Sequence, residues 1–121
     1  MFYSDFTYSH YESPRNVGTI SNPTHQVLMG SPDSGAVIKV TAKVEDNLIK
    51  DIAFKAYGGG AVIASMSLLT EKIKGKSVDF ALSVKSSDLS DVLSLEPVKI
   101  VYSIMAVDAI QKMFKIDVQK K

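Results

Sequence analysis

Three groups of residues in this chain have types and spacings that could carry chemistry. Gly58, Gly59 and Gly60 stand between a short apolar run, Ala53 to Tyr57, and the apolar pattern that follows. Free N–H groups and the dipole of a helix start would favour an anion there. No GxxxxGK[ST] surrounds them and no acidic residue is spaced for a ribose, so the competing reading is a flexible turn. His10 and His25 are the only imidazoles. Two imidazoles without thiolates make a weak metal site, and the competing reading is histidines hydrogen-bonded within the fold. Ser34 and Tyr102 offer a nucleophile and an acid. No histidine or carboxylate can be set beside them from the sequence, so the logic of an activated nucleophile is missing.

The chain has no cysteine. That excludes disulfides, thiolate zinc sites, cysteine nucleophiles, persulfide carriers and an all-cysteine iron–sulfur site. With 121 residues the chain fits one domain, 1–121, large enough to bury a core without a metal or disulfide staple. Its net charge of +1 gives no electrostatic case for nucleic acid or membrane. Of fourteen cationic residues only Arg15 is arginine, which argues further against phosphate-rich ligands. No apolar run approaches the ~18 residues of a membrane span. The first residues lack the basic and apolar regions of a secretory signal, so a cytoplasmic location is expected.

The elements that must position these residues follow from pattern. Aromatics and His10 at helical spacing predict a short helix within Tyr3 to Glu12, stopped at Ser13-Pro14. His25 to Met29 reads as a strand, and Gly30 to Gly35 as a turn. Val37 to Val44 alternates, with Ile38, Val40, Ala42 and Val44 inward and Lys39, Thr41 and Lys43 on a wet face. After a turn at Glu45-Asp46-Asn47, Leu48 to Tyr57 places Ile52, Phe54 and Ala56 inward, completing a hairpin. A helix over Ala61 to Lys74 carries Val62, Met66, Leu69 and Ile73 on one stripe and ends at Gly75. Ser77 and Ser87 are candidate N-caps of short helical pieces. Leu95-Glu96-Pro97 breaks the pattern. The last helix runs from about Val98 to Val118, with Ile100, Ile104, Val107, Ile110 and Phe114 inward. Strands followed by helices predict an α+β fold, a small three-stranded antiparallel sheet with helices packed on one face.

Five blocks of this sequence, in order, resemble the IscU/NifU N-terminal scaffold family, on which iron–sulfur clusters are built. Tyr3-Ser4 and His10 to Gly18 are close to HYENPRNVG. Met29 to Ala36 lies where the family reads G-x-P-x-C-G-D, and Phe54 to Ala61 where it reads F-K-x-Y-G-C-G. Lys74 to Ser77 matches KGKS. Leu95 to Lys99 and the residues after it match LPPVK followed by I-H-C-S-I, with Glu96 in place of a proline. The resemblance implies the same α+β fold over nearly the whole length. It implies that Ser34, Ala36, Gly59, Val101 and Tyr102 stand at the five positions of the cluster ligands, every donor changed.

Soft sulfur ligands hold such clusters and zinc. Gly59, Ala36 and Val101 offer no donor side chain, and sulfur transfer has no acceptor thiol. The expectation is therefore a degenerate, non-enzymatic member without cofactor, acting as a protein-binding or regulatory partner in iron–sulfur assembly. The resemblance implies an Hsp70-type chaperone at Leu95, Pro97, Val98 and Lys99, and a cysteine desulfurase facing Tyr3, Tyr11 and Arg15. The alternative is a small-ligand or non-thiolate metal module at the old site, lined by Ser34, Asp33, Tyr102 and the glycine amides.

Overall fold

The computed structural model describes residues 9–10, 12–31, 33 and 35–119, with side chains as far as Lys115. The sheet has three antiparallel strands in the order β1 (His25–Ser31), β2 (Ala36–Glu45) and β3 (Leu48–Tyr57). Four helices follow: α1 (Gly60–Ile73), α2 (Val78–Ser83), α3 (Ser86–Leu93) and α4 (Ile100–Gln119), the last entered through a tight turn of 3-10 helix at Pro97–Lys99.

The hairpin forms where expected. Asp46 and Asn47 both take positive φ, 53° and 63°, the twist that a two-residue hairpin loop needs. The first turn is shorter than expected. Gly30 pairs with Val37 and Ser31 with Ala36, so pairing carries β1 on to Ser31. Alternation then sets the core: Ile38, Val40 and Ala42 of β2 and Ile52 and Phe54 of β3 are buried. Against them lie Val62, Met66, Leu69 and Ile73 of α1, each at most 1 % exposed. Val44 slips to half-burial because the register shifts between Lys43 and Val44.

The wet face is not wet throughout. Thr41 and Ala53, opposite each other on β2 and β3, are buried on the face away from the helices. Residues 16–24 cover them. Phe54 exchanges backbone hydrogen bonds with this segment, its N–H to the Asn16 carbonyl (2.8 Å) and its carbonyl from the Gly18 N–H (2.9 Å). The Ile20 N–H then donates to Thr41 Oγ1 (2.9 Å), and Thr24 N–H reaches the Ala42 carbonyl. The segment thus crosses the sheet from the β3 edge towards β1. Pattern alone could not show this, because a chain that covers a face lies outside the strand's own alternation.

Helix α1 is buried nearly all round, in ten of its fourteen residues. Such a helix is a core element rather than a surface one. Its polar residues are answered from the N-terminal segment: Asn16 Nδ2 donates to Thr70 Oγ1 (3.1 Å), the Arg15 N–H to Ser67 Oγ (2.9 Å), and His10 Nδ1 lies 2.7 Å from Ser67 Oγ. The chain leaves the helix through Lys74, and Gly75 at φ 83° turns it so that its N–H meets the Ile49 carbonyl. Ser77 caps α2 as expected, accepting from the Phe80 N–H at 3.0 Å. Ser87 is not a cap. Helix α3 starts one residue earlier, and Asp88 reaches back to the Lys85 N–H (2.9 Å).

The inward face of α4 also differs from expectation. Ile104 is 43 % exposed and Ile100 half-buried, while Ser103, Ala106, Ala109, Ile110, Met113 and Phe114 are buried. Helices α1 and α4 pack directly on one another. The small residues Ser103, Ala106 and Ala109 lie on the buried side of α4, and the bulkier Ile104 is left outside. Ala106→Leu should therefore cost about 1–3 kcal/mol in urea unfolding, as overpacking does. Ile104→Ser should stay within about 0.5 kcal/mol. The reverse ranking would show the expected stripe to be the right one.

Burial pushes His10 below its ordinary value, and Arg15 adds to this against the opposing pull of Glu71, which lies 3.6 Å from Nε2. The unfolded chain then binds the extra proton first. Stability should be full above the ordinary value of 6.5 and fall as pH drops below it. Thermal midpoints between neutral and mildly acidic pH should show this slope, and His10→Asn should flatten it. An unchanged slope would assign the acid sensitivity elsewhere.

Candidate functional site

Three separate segments meet at one end of the sheet. They are the β1–β2 turn at Gly35-Ala36, the β3–α1 loop at Gly58-Gly59, and the first turn of α4 at Tyr102. The hairpin sets the first two side by side. Gly58 lies so close to the first turn that a Cβ added to it would stand 2.4 Å from the Gly35 carbonyl oxygen and 2.9 Å from Ala36 Cα. A Cβ added to Gly35 would in turn stand 3.8 Å from the Tyr102 hydroxyl. Ala36 is 2 % exposed and belongs to the core, and Tyr102 packs partly buried against that core.

Three of the positions singled out from sequence, Ala36, Gly59 and Tyr102, therefore gather around this end. Val101 precedes Tyr102 on α4 but is 50 % exposed, beside the exposed Val98 and Ile104 at three-residue spacing. Ser34, Tyr3 and Tyr11 lie outside the described residues. Arg15 is half-buried, its Nε 3.6 Å from Glu71 Oε2 and its Nη2 donating to Ser9 Oγ at 3.1 Å. Leu95 packs on the core, Pro97 and Val98 are exposed, and Lys99 is half-buried. Pro97–Lys99 forms a helical turn, so the segment is a helix entrance rather than an extended strip.

Gly59 precedes α1 at φ 116° and ψ 179°, a conformation that L side chains rarely adopt, and a Cβ there would meet nothing. The position faces open space and carries no atom beyond the backbone. The two histidines are engaged elsewhere. His10 rests on Ser67 of α1, and His25 bonds Thr24 Oγ1 through Nδ1 (2.8 Å) with its ring edge-on to Phe114. Among the described residues, no three His, Cys, Asp or Glu side chains come together. Among the described residues at the junction, Ala36, Val37, Tyr57 and Tyr102 bring aliphatic or phenolic side chains, which do not fit a soft metal or a cluster.

A cavity of about 470 Å³ opens beside the junction, lined by Gly35, Ala36, Val37, Tyr57 and Gly58. Val37 and Tyr57 are a cross-strand pair on the face away from the helices. Sequence reasoning passed over both. The alternation placed them outward, and only strand register sets them against each other.

Gly58→Ala should lower stability by about 1–3 kcal/mol, because a methyl group there meets backbone that must move. Gly59→Ala, with open space around it, should cost less. Equal losses in chemical denaturation would remove the close approach of the two loops as the cause.

Comparison with known proteins adds the context. A family model for the NifU-like N terminal domain matches residues 2–120. The iron–sulfur cluster assembly scaffold protein IscU of Escherichia coli is 48% identical over 115 residues, 92% of this chain and 90% of the relative. The iron–sulfur cluster assembly protein IscU of Plasmodium falciparum is 44% identical over 116 residues, 93% of this chain and 72% of the relative. Among solved structures, the N-terminal part of a nitrogen-fixing NifU-like protein from Brucella abortus superposes with a TM-score of 0.79 at 16% identity, covering 98% of this chain and 95% of that one.

Proposed function

Because the chain belongs to the NifU-like N-terminal domain family, we propose that it serves iron–sulfur cluster assembly as a non-enzymatic, protein-binding member that holds no cluster on its own side chains. One observation carries this reading. The fold of the family is intact, while in a chain without cysteine the described residues bring Ala36, Gly59 and Tyr102 to this meeting point. We read residues 1–121 as one such domain, which the extent of the family match supports.

What remains is surface for partners. Pro97, Val98, Val101 and Ile104 present exposed apolar area at the start of α4. The family resemblance makes a cysteine desulfurase and an Hsp70-type chaperone the candidates. Glu96 places a negative charge in the chaperone-like segment, and the helical turn at Pro97–Lys99 must open before an extended groove could take it. Desulfurase binding is the stronger of the two. A desulfurase bound without a thiol to accept its sulfur would be held out of productive transfer, so the chain acts as competitor or regulator. The alternative, a non-thiolate metal or small ligand at the same place, has the cavity in its favour. Its apolar lining suits neither a metal nor an anion.

Purified partners should associate with Kd near about 10 μM or tighter, and the chain should slow sulfur delivery to a cysteine-bearing scaffold. No association at roughly tenfold that concentration would overturn the reading. Metal analysis decides the alternative: protein purified without chelator should carry no stoichiometric iron or zinc, and its thermal midpoint should not move on adding EDTA. A drop of several degrees would establish a resident metal.

A further inference from the structure

The outer face of the sheet, at its loop end, carries a feature that cluster assembly does not require. Lys39 of β2 and Lys55 of β3 stand directly opposite each other, both exposed, with the exposed Leu28 of β1 on the other side of Lys39. Directly opposed side chains lie about 5 Å apart, and like charges so placed are destabilising. Among the described residues the ladder places no carboxylate there. Glu45 is at the far end of β2, Asp51 is paired with Lys74 at 3.3 Å, and Asp33 lies in the exposed turn after β1.

The next row along the same face is Val37 and Tyr57, which line the cavity, with Tyr57 68 % exposed. The two rows are two residues apart along the strands, roughly 6.8 Å. That is also the spacing of alternate side chains on one face of an extended peptide. The far end of the face is closed by residues 16–24, so the uncovered part is confined to these rows.

From this juxtaposition we infer that the outer sheet face at its loop end docks an extended acidic peptide segment of a protein partner. A carboxylate sits at Lys39 and Lys55, and two residues along, an apolar side chain enters the cavity over Gly58. The lysine pair supplies the charge complementarity and Val37 with Tyr57 the apolar contact. The inference stands apart from the assembly role, since it uses none of the ligand positions but Ala36, and that only as cavity wall.

The test is fluorescence anisotropy with a fluorescein-labelled peptide carrying Glu-Glu-Ser-Phe between Gly-Ser flanks. It should bind at low salt with Kd on the order of 0.1 mM and weaken as salt is added. Lys39→Gln with Lys55→Gln should weaken it about tenfold, and so should replacing the peptide's Phe by Ser. The double variant should unfold at an equal or higher temperature than the parent, because a repulsion has been removed; lost binding is then not lost folding. Absence of binding would overturn the inference. So would equal binding of the Phe-free peptide, equal binding by the double variant, or equally tight binding of a single-stranded oligonucleotide.

Discussion

Everything in this fold leans on the burial of α1. The helix lies on the sheet through Val62, Met66, Leu69 and Ile73, is packed by α4, and has its polar residues answered by Asn16, Arg15 and His10. Each large apolar side chain so buried is worth about 1.5–3 kcal/mol. The strand-to-helix loop is fixed because both of its ends are fixed: Phe54 is held in the sheet and Val62 in the core. The loop's position is thus a product of packing.

That separation of scaffold from chemistry explains what the chain has kept. A metal that binds only the folded state contributes to stability, and structural zinc bound through thiolates can contribute roughly 10–16 kcal/mol of apparent free energy. Among the described residues, no three His, Cys, Asp or Glu side chains gather at the junction for such a metal. Ala36 is instead absorbed into the core, and Tyr102 lays its ring against it.

Most of the architecture was legible in the sequence. Ile38, Val40, Ala42, Ile52 and Phe54 gave the core face of the hairpin by strict alternation, and Val62, Met66, Leu69 and Ile73 gave the buried stripe of α1. What escaped depends on partners that no local pattern contains. Thr41 is buried by a distant segment, and Ile104 is exposed because α4 turns Ser103, Ala106 and Ala109 inward instead. The pairing of Val37 with Tyr57 rests on register. The convergence of Gly35, Gly58 and Tyr102 was expected from resemblance alone; spacing along the chain says nothing of it.

The conformation of Gly59 limits what can stand at its position. At φ 116° and ψ 179° it occupies a backbone region that is glycine's almost alone. Any side chain placed there would be set against its own backbone before it met a ligand, so the loop itself would have to be rebuilt before this position could take a donor.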